Sequence, residues 1–116
     1  MANNIPFQAM GKTVSVKVTG AANTQSDVVT ITSDSPCQQY YIANGDVNFA
    51  VYVAISTSNS LTAQLPETAA NYVITIPPYA YKVFTGPQVS PTSNVYARII
   101  GDGANAGVYI TPGEGF

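Results

Sequence analysis

The chain has 116 residues, the length of one domain, and only 9% of them are charged, against about 25% in an ordinary soluble domain. Its four cations, Lys12, Lys17, Lys82 and Arg98, are dispersed and form no cluster that would hold a phosphate backbone, so no nucleic-acid partner is expected. No apolar run approaches the roughly 20 residues of a membrane span, so no membrane partner is expected either.

Residues 1–12 read as an extended arm, because Pro6 disfavours helix at Ile5 and removes a backbone donor. Ile5, Phe7 and Met10 make the arm apolar, so it is expected to dock, either on a partner or on its own domain. The arm lacks the basic start and apolar centre of a signal peptide. The single Cys37 leaves no intrachain disulfide, and folding in a reducing cytoplasm is expected.

From residue 13 the pattern has period two, with Val14, Val16 and Val18 alternating with Ser15 and Lys17. Residues 28–32 read as a second strand, 33–36 as a turn, and 37–43 as a third strand with Tyr40 and Tyr41 on opposite faces. Asn44-Gly45 between β-rich runs predicts a tight hairpin. The longest strand is expected at 47–55, with Val47, Phe49, Val51, Val53 and Ile55 on one face, central in its sheet. A short strand at 61–64 and one helical turn at 67–71 follow, then strands at 72–76 and 81–85, the latter stopped by Gly86-Pro87. Residues 94–100 are expected to pair with 107–111 across the Gly-rich turn 101–106, leaving 86–93 and 101–106 as exposed tips. Eight or nine short strands without helical periodicity indicate an all-β fold. Sandwich, jelly roll and barrel all fit, and the short strands favour two packed sheets. The expected organisation is an arm at 1–12 and a β-sandwich domain at 13–116.

The residues for chemistry are sparse. There is no histidine, which removes the commonest base and metal ligand and the Ser-His and Cys-His nucleophile pairs. The carboxylates Asp27, Asp34, Asp46, Glu67, Asp102 and Glu114 sit in no motif. The Asp102 loop lacks the alternating ligands of a calcium site and reads as turn chemistry. Cys37 has no basic neighbour in sequence and reads as structural. No catalytic residue, metal site or cofactor is expected. The eight tyrosines admit three readings: high strand propensity, a protein interface, or stacking on sugars. Tyr79, Tyr81 and Tyr96 are the candidates for an aromatic surface. A β protein with so few charges also needs its sheet edges protected, and neighbouring subunits would do this.

The opening MANNIPFQAMGKT resembles that of small virion-associated proteins of tailed bacteriophages, as do Ile76-Pro77-Pro78, the run from Val83 to Pro87, and the close from Tyr109 to Gly115. The resemblance covers about half the chain; residues 21–65 add only a β pattern. It implies a capsid cement or decoration protein: a jelly-roll or sandwich domain, bound as an oligomer, often a trimer, on the outer capsid surface after synthesis in the host cytoplasm. The implied partners are the major capsid protein and further copies of the chain. Ile5, Pro6, Phe7 and Met10 would supply the arm's contacts, and no catalytic motif is carried over. Two other functions stay open on the residues: a tail-fibre or receptor-binding module that recognises a bacterial surface glycan through its tyrosines, and a hydrolase built on a carboxylate pair.

Overall fold

A computed structural model of the chain describes residues 7–21, 24–61, 63 and 73–115. Among them are nine strands and no helix: β1 (Gln8–Ala9), β2 (Val14–Lys17), β3 (Val29–Ile31), β4 (Cys37–Asn44), β5 (Val51–Ser56), β6 (Ile74–Ile76), β7 (Tyr81–Val89), β8 (Val95–Gly101) and β9 (Gly107–Glu114). They form two antiparallel sheets, consistent with a β-sandwich. The first runs β2-β9-β4-β7, with β1 following on beside β2 along the same edge of β9; the second runs β3-β8-β5-β6. The pairs nest, β5 with β6, β4 with β7, β3 with β8 and β2 with β9, as in one long ribbon doubled back on itself.

The alternation seen in the sequence builds the core. In β4, Tyr40 and Ile42 are fully buried, and Val95, Ala97 and Ile99 of β8 meet them from the other sheet's inner face, joined by Val16, Ile31, Val51, Val53, Val108 and Ile110. Complete burial of a Val or Ile side chain contributes roughly 1.5–3 kcal/mol. The Tyr40 hydroxyl, the one polar tip among the largest buried side chains, donates to the Pro87 carbonyl.

The turns depart from the sequence reading. Asn44-Gly45 is not a hairpin: β4 lies in the first sheet and β5 in the second. Neither residue has positive φ, which among the described residues occurs at Gly20, Tyr79, Asn105 and Gly115. Residues 101–106 likewise carry the chain between sheets, so β8 and β9 are not partners; β8 pairs β3 and β5. Every connection from β2 onward, except β5 to β6, changes sheet. Local turn signals report that the chain reverses, not which sheet it rejoins.

Two strand boundaries also move. β5 is internal in its sheet but begins only at Val51, and Val47 and Phe49 are exposed. Side chains hold the backbone here in place of a ladder, since Asp46 Oδ1 accepts from the amides of Asn48 (2.9 Å) and Phe49 (3.2 Å). β7 runs through Gly86 and Pro87 to Val89, and the exposed tip is at 91–94. Pro87 is tolerated because β7 is an edge strand and its register with β4 shifts between Cys37 and Gln39. Of the predicted strand at 61–64 only residues 61 and 63 are described, neither of them in a strand, and the helical turn at 67–71 lies outside the described residues.

Candidate interaction surface

The two sheets present very different outer faces. On the second sheet, Tyr52, Ala54 and Ile100 pack with Leu61, Ala63 and Val73 in a separate apolar cluster. Arg98, paired with Ala54 in register, ties this cover down: Nε donates to the Ser26 carbonyl (2.6 Å) and a terminal guanidinium nitrogen to the Leu61 carbonyl (3.2 Å). Gln25 Oε1 accepts from the Ala63 amide at 3.0 Å.

The outer face of the first sheet has no such cover among the described residues. Because Tyr40 and Ile42 point inward, Tyr41 and Ala43 point outward. Register then fixes their neighbours. Val83 and Thr111 flank Tyr41, and Tyr81 and Tyr109 flank Ala43. The Tyr41 and Tyr81 rings stack, with centroids 5.3 Å apart and planes inclined at 20°. Phe7 lies 5.8 Å from Tyr41 at 43°, over Gly113, where a Cβ would fall 2.5 Å from its ring tip. These three rings therefore make an aromatic row from Phe7, just before β1 and over β9, to β4 and β7, and the register neighbours between them are uncharged.

The row continues onto one end of the sandwich. The most exposed large apolar side chains are Tyr79 (79%), Tyr81 (65%), Val47 (61%), Tyr109 (47%) and Phe49 (45%), and all five sit on or beside the crossover 45–50. Asn44 organises this end from within. Its side chain is buried, and its Nδ2 lies 3.1 Å from each of the carbonyls of Phe49, Ile76 and Pro77, while its Oδ1 accepts from the Asp46 amide at 2.8 Å. The Tyr79 amide donates to the Asp46 carbonyl (2.8 Å), and Tyr79 is held at φ 57°, a conformation that costs a non-glycine residue roughly 1–2 kcal/mol. An exposed tyrosine whose backbone is held by the Asp46 carbonyl has less freedom to lose, which lowers the ordering cost of binding.

The sequence candidates are partly brought together. Phe7, Tyr79 and Tyr81 share this surface; Tyr96 lies on β8 in the opposite sheet, paired with Thr30 and Ser56. Met10 packs against the domain's own core, and its amide donates to the Pro112 carbonyl at 2.9 Å. For the described part of the arm, then, docking on its own domain is what occurs; Ile5 and Pro6 lie outside the described residues. Sequence reasoning missed Asn44 as a hub and Val47, Phe49 and Tyr109 as surface. The outward position of Tyr109 follows once β9 is known to pair β4, a contact between segments more than sixty residues apart in sequence.

Three of the carboxylates are engaged separately. Asp46 caps its turn, Asp102 accepts from the Tyr52 hydroxyl (3.1 Å), and Glu114 Oε2 accepts from the Gln38 amide (2.6 Å). No three His, Cys, Asp or Glu side chains converge among the described residues, and Glu67 is not one of these residues. Cys37 is buried; burial pushes its thiol pKa up, the Ser33 side chain opposes this, and the Glu114 charge adds to it. Burial, with a smaller contribution from Cys37, also raises the Tyr40 phenol well above the ordinary phenol range. No protein-family model matches the chain, and no curated protein matches it.

Proposed function

We propose that this chain is a structural virion protein of a tailed bacteriophage, a capsid cement or decoration protein of jelly-roll type with no catalytic role. In this reading it binds the major capsid protein on the outer capsid surface as a homo-oligomer, a trimer, and its docking surface is the aromatic row with the adjoining end loops. The observation that carries the reading is the contrast in cover: one outer face is partly covered by the chain itself, and the other displays stacked, uncharged aromatics. Surfaces of that composition are the buried centres of protein interfaces.

Two further features support it. The nested pairing of β2–β5 with β6–β9, split over two four-stranded layers, is the order expected of a jelly roll, an architecture found in viral capsid domains. A chain with 9% charged residues gains little protection of its sheet edges from charge, and β7 presents a nine-residue edge that a neighbouring subunit would cover. Repetition over a symmetric lattice would multiply such modest contacts into stable attachment.

Quantitative mass spectrometry of purified virions tests this. The expected result is a copy number equal to that of the major capsid protein or a simple fraction of it. A handful of copies per particle would move the chain to the tail, and absence from the particle would end the virion reading.

A further inference from the structure

We propose that the hollow between β2, β9 and the 45–50 crossover binds a single neutral pyranose unit. It has a volume of about 170 Å³ and is lined by Lys17, Gly45, Asp46, Asn105, Gly107 and Tyr109. That is below the range of sites for drug-sized ligands, roughly 300–1,000 Å³, and on the scale of one small ring.

The lining has the chemistry of a polyhydroxyl ligand. Gly45 and Gly107 are joined by the Gly45 amide donating to the Gly107 carbonyl at 3.2 Å, and having no side chains they admit the Tyr109 ring beside Gly45 and the Lys17 stem beside Gly107. Tyr109, a residue 47% exposed, forms one wall and supplies an aromatic ring for the polarised C–H bonds of a sugar. Asp46 is fixed by the two amides on its Oδ1, which leaves Oδ2 to accept hydroxyl protons. Asn105 is fixed as well: its Oδ1 accepts from the Gly20 amide at 3.0 Å, which leaves its NH₂ to donate. The Lys17 stem runs beside Gly107, and its ammonium adds a second donor. One acceptor, two donors and an aromatic wall match adjacent hydroxyls on one ring. Asp46 and Lys17 offset one another in charge, so the hollow offers no net attraction to an acidic sugar. The hollow shares Tyr109 and the 45–50 crossover with the proposed docking surface, but sugar binding to the free chain is independent of whether that surface meets a particle.

The test is a titration of the folded, isotope-labelled chain with glucose, galactose, mannose and N-acetylglucosamine, and with glucuronate for comparison, read by amide chemical shifts. At least one neutral sugar should give saturable shifts at Gly45, Gly107 and Tyr109 with a Kd of about 1–10 mM. Tyr109→Ala and Lys17→Ala should each weaken binding about tenfold or more while the rest of the spectrum is kept. No saturable shift with any neutral sugar up to about 100 mM, tighter binding of glucuronate, or undiminished binding in Tyr109→Ala would overturn the proposal.

Discussion

The outer faces of the two sheets are made from the same kind of strand and end in opposite states. On β5 and β8 the outward residues Tyr52, Ala54 and Ile100 are closed over by Leu61, Ala63 and Val73, and Arg98 satisfies two backbone carbonyls of the covering segments. On β4, β7 and β9 the outward residues Tyr41, Tyr81 and Tyr109 stay accessible, and Phe7 extends the row without sealing it. A sandwich needs only its inner faces buried, so an outer face takes whatever cover the connections provide. The described part of the β5–β6 connection, at Leu61, Ala63 and Val73, packs on its own sheet. The tight crossovers beside β4 and β9 cover nothing, and large rings placed there are available to a partner. Burial on one outer face serves stability, and on the proposed reading exposure on the other serves binding.

Substitutions on the two faces should therefore separate folding from assembly. The largest effect is expected at the hub between them. Asn44→Ala removes the amide that serves three carbonyls and one backbone N–H, and should lower unfolding free energy by about 3 kcal/mol or more. Urea denaturation checks this, and a loss under about 1 kcal/mol would mean that water replaces the amide without cost. Next, Arg98→Ala should cost about 2 kcal/mol by orphaning carbonyls and loosening the cover, and Arg98→Lys should not restore both bonds. Tyr81→Ser, on the open face, should stay within about 0.5–1 kcal/mol of the parent in the same experiment while abolishing attachment to particles. Equal destabilisation by Arg98→Ala and Tyr81→Ser would erase the distinction.

A smaller effect is expected from pH. The Cys37 thiol has a raised pKa in the folded state, so the fold binds this proton more tightly than the unfolded chain does. Its contribution is complete below the ordinary thiol value, about 8.5, and declines as pH rises above it. Tyr40, shifted the same way, extends the decline above about pH 10. Thermal melts should fall from about pH 8.5 upward, and Cys37→Ala should flatten the first part of that fall. The smallest change is expected for Tyr79→Gly, which relieves the positive φ. Stability should hold or rise by up to about 1 kcal/mol while particle binding weakens.

Much of the strand content was legible because period-two alternation is local. Val14, Val16 and Val18 announce β2, and the burial of Tyr40 beside the outward Tyr41 follows from adjacency alone. What failed was partner choice. Asn44-Gly45 carries the composition of a hairpin, yet the Asn44 side chain turns inward to bind Phe49, Ile76 and Pro77, groups from two separate segments. Pro87 looks like a strand stop until β7 is known to be an edge. The candidate surface was legible at Phe7, Tyr79 and Tyr81, and not at Tyr109, Val47 or Phe49. The exposure of these three depends on which sheet each crossover enters.

The central claim is that the open aromatic face is the one covered in the particle. Hydroxyl-radical footprinting of the free chain and of purified virions tests it most directly. Tyr41, Tyr79 and Tyr81 should lose most of their labelling in the particle, while Tyr96 on the second sheet should be labelled equally in both. Unchanged labelling of Tyr41, Tyr79 and Tyr81, with protection confined to Tyr96 and its sheet, would contradict the account.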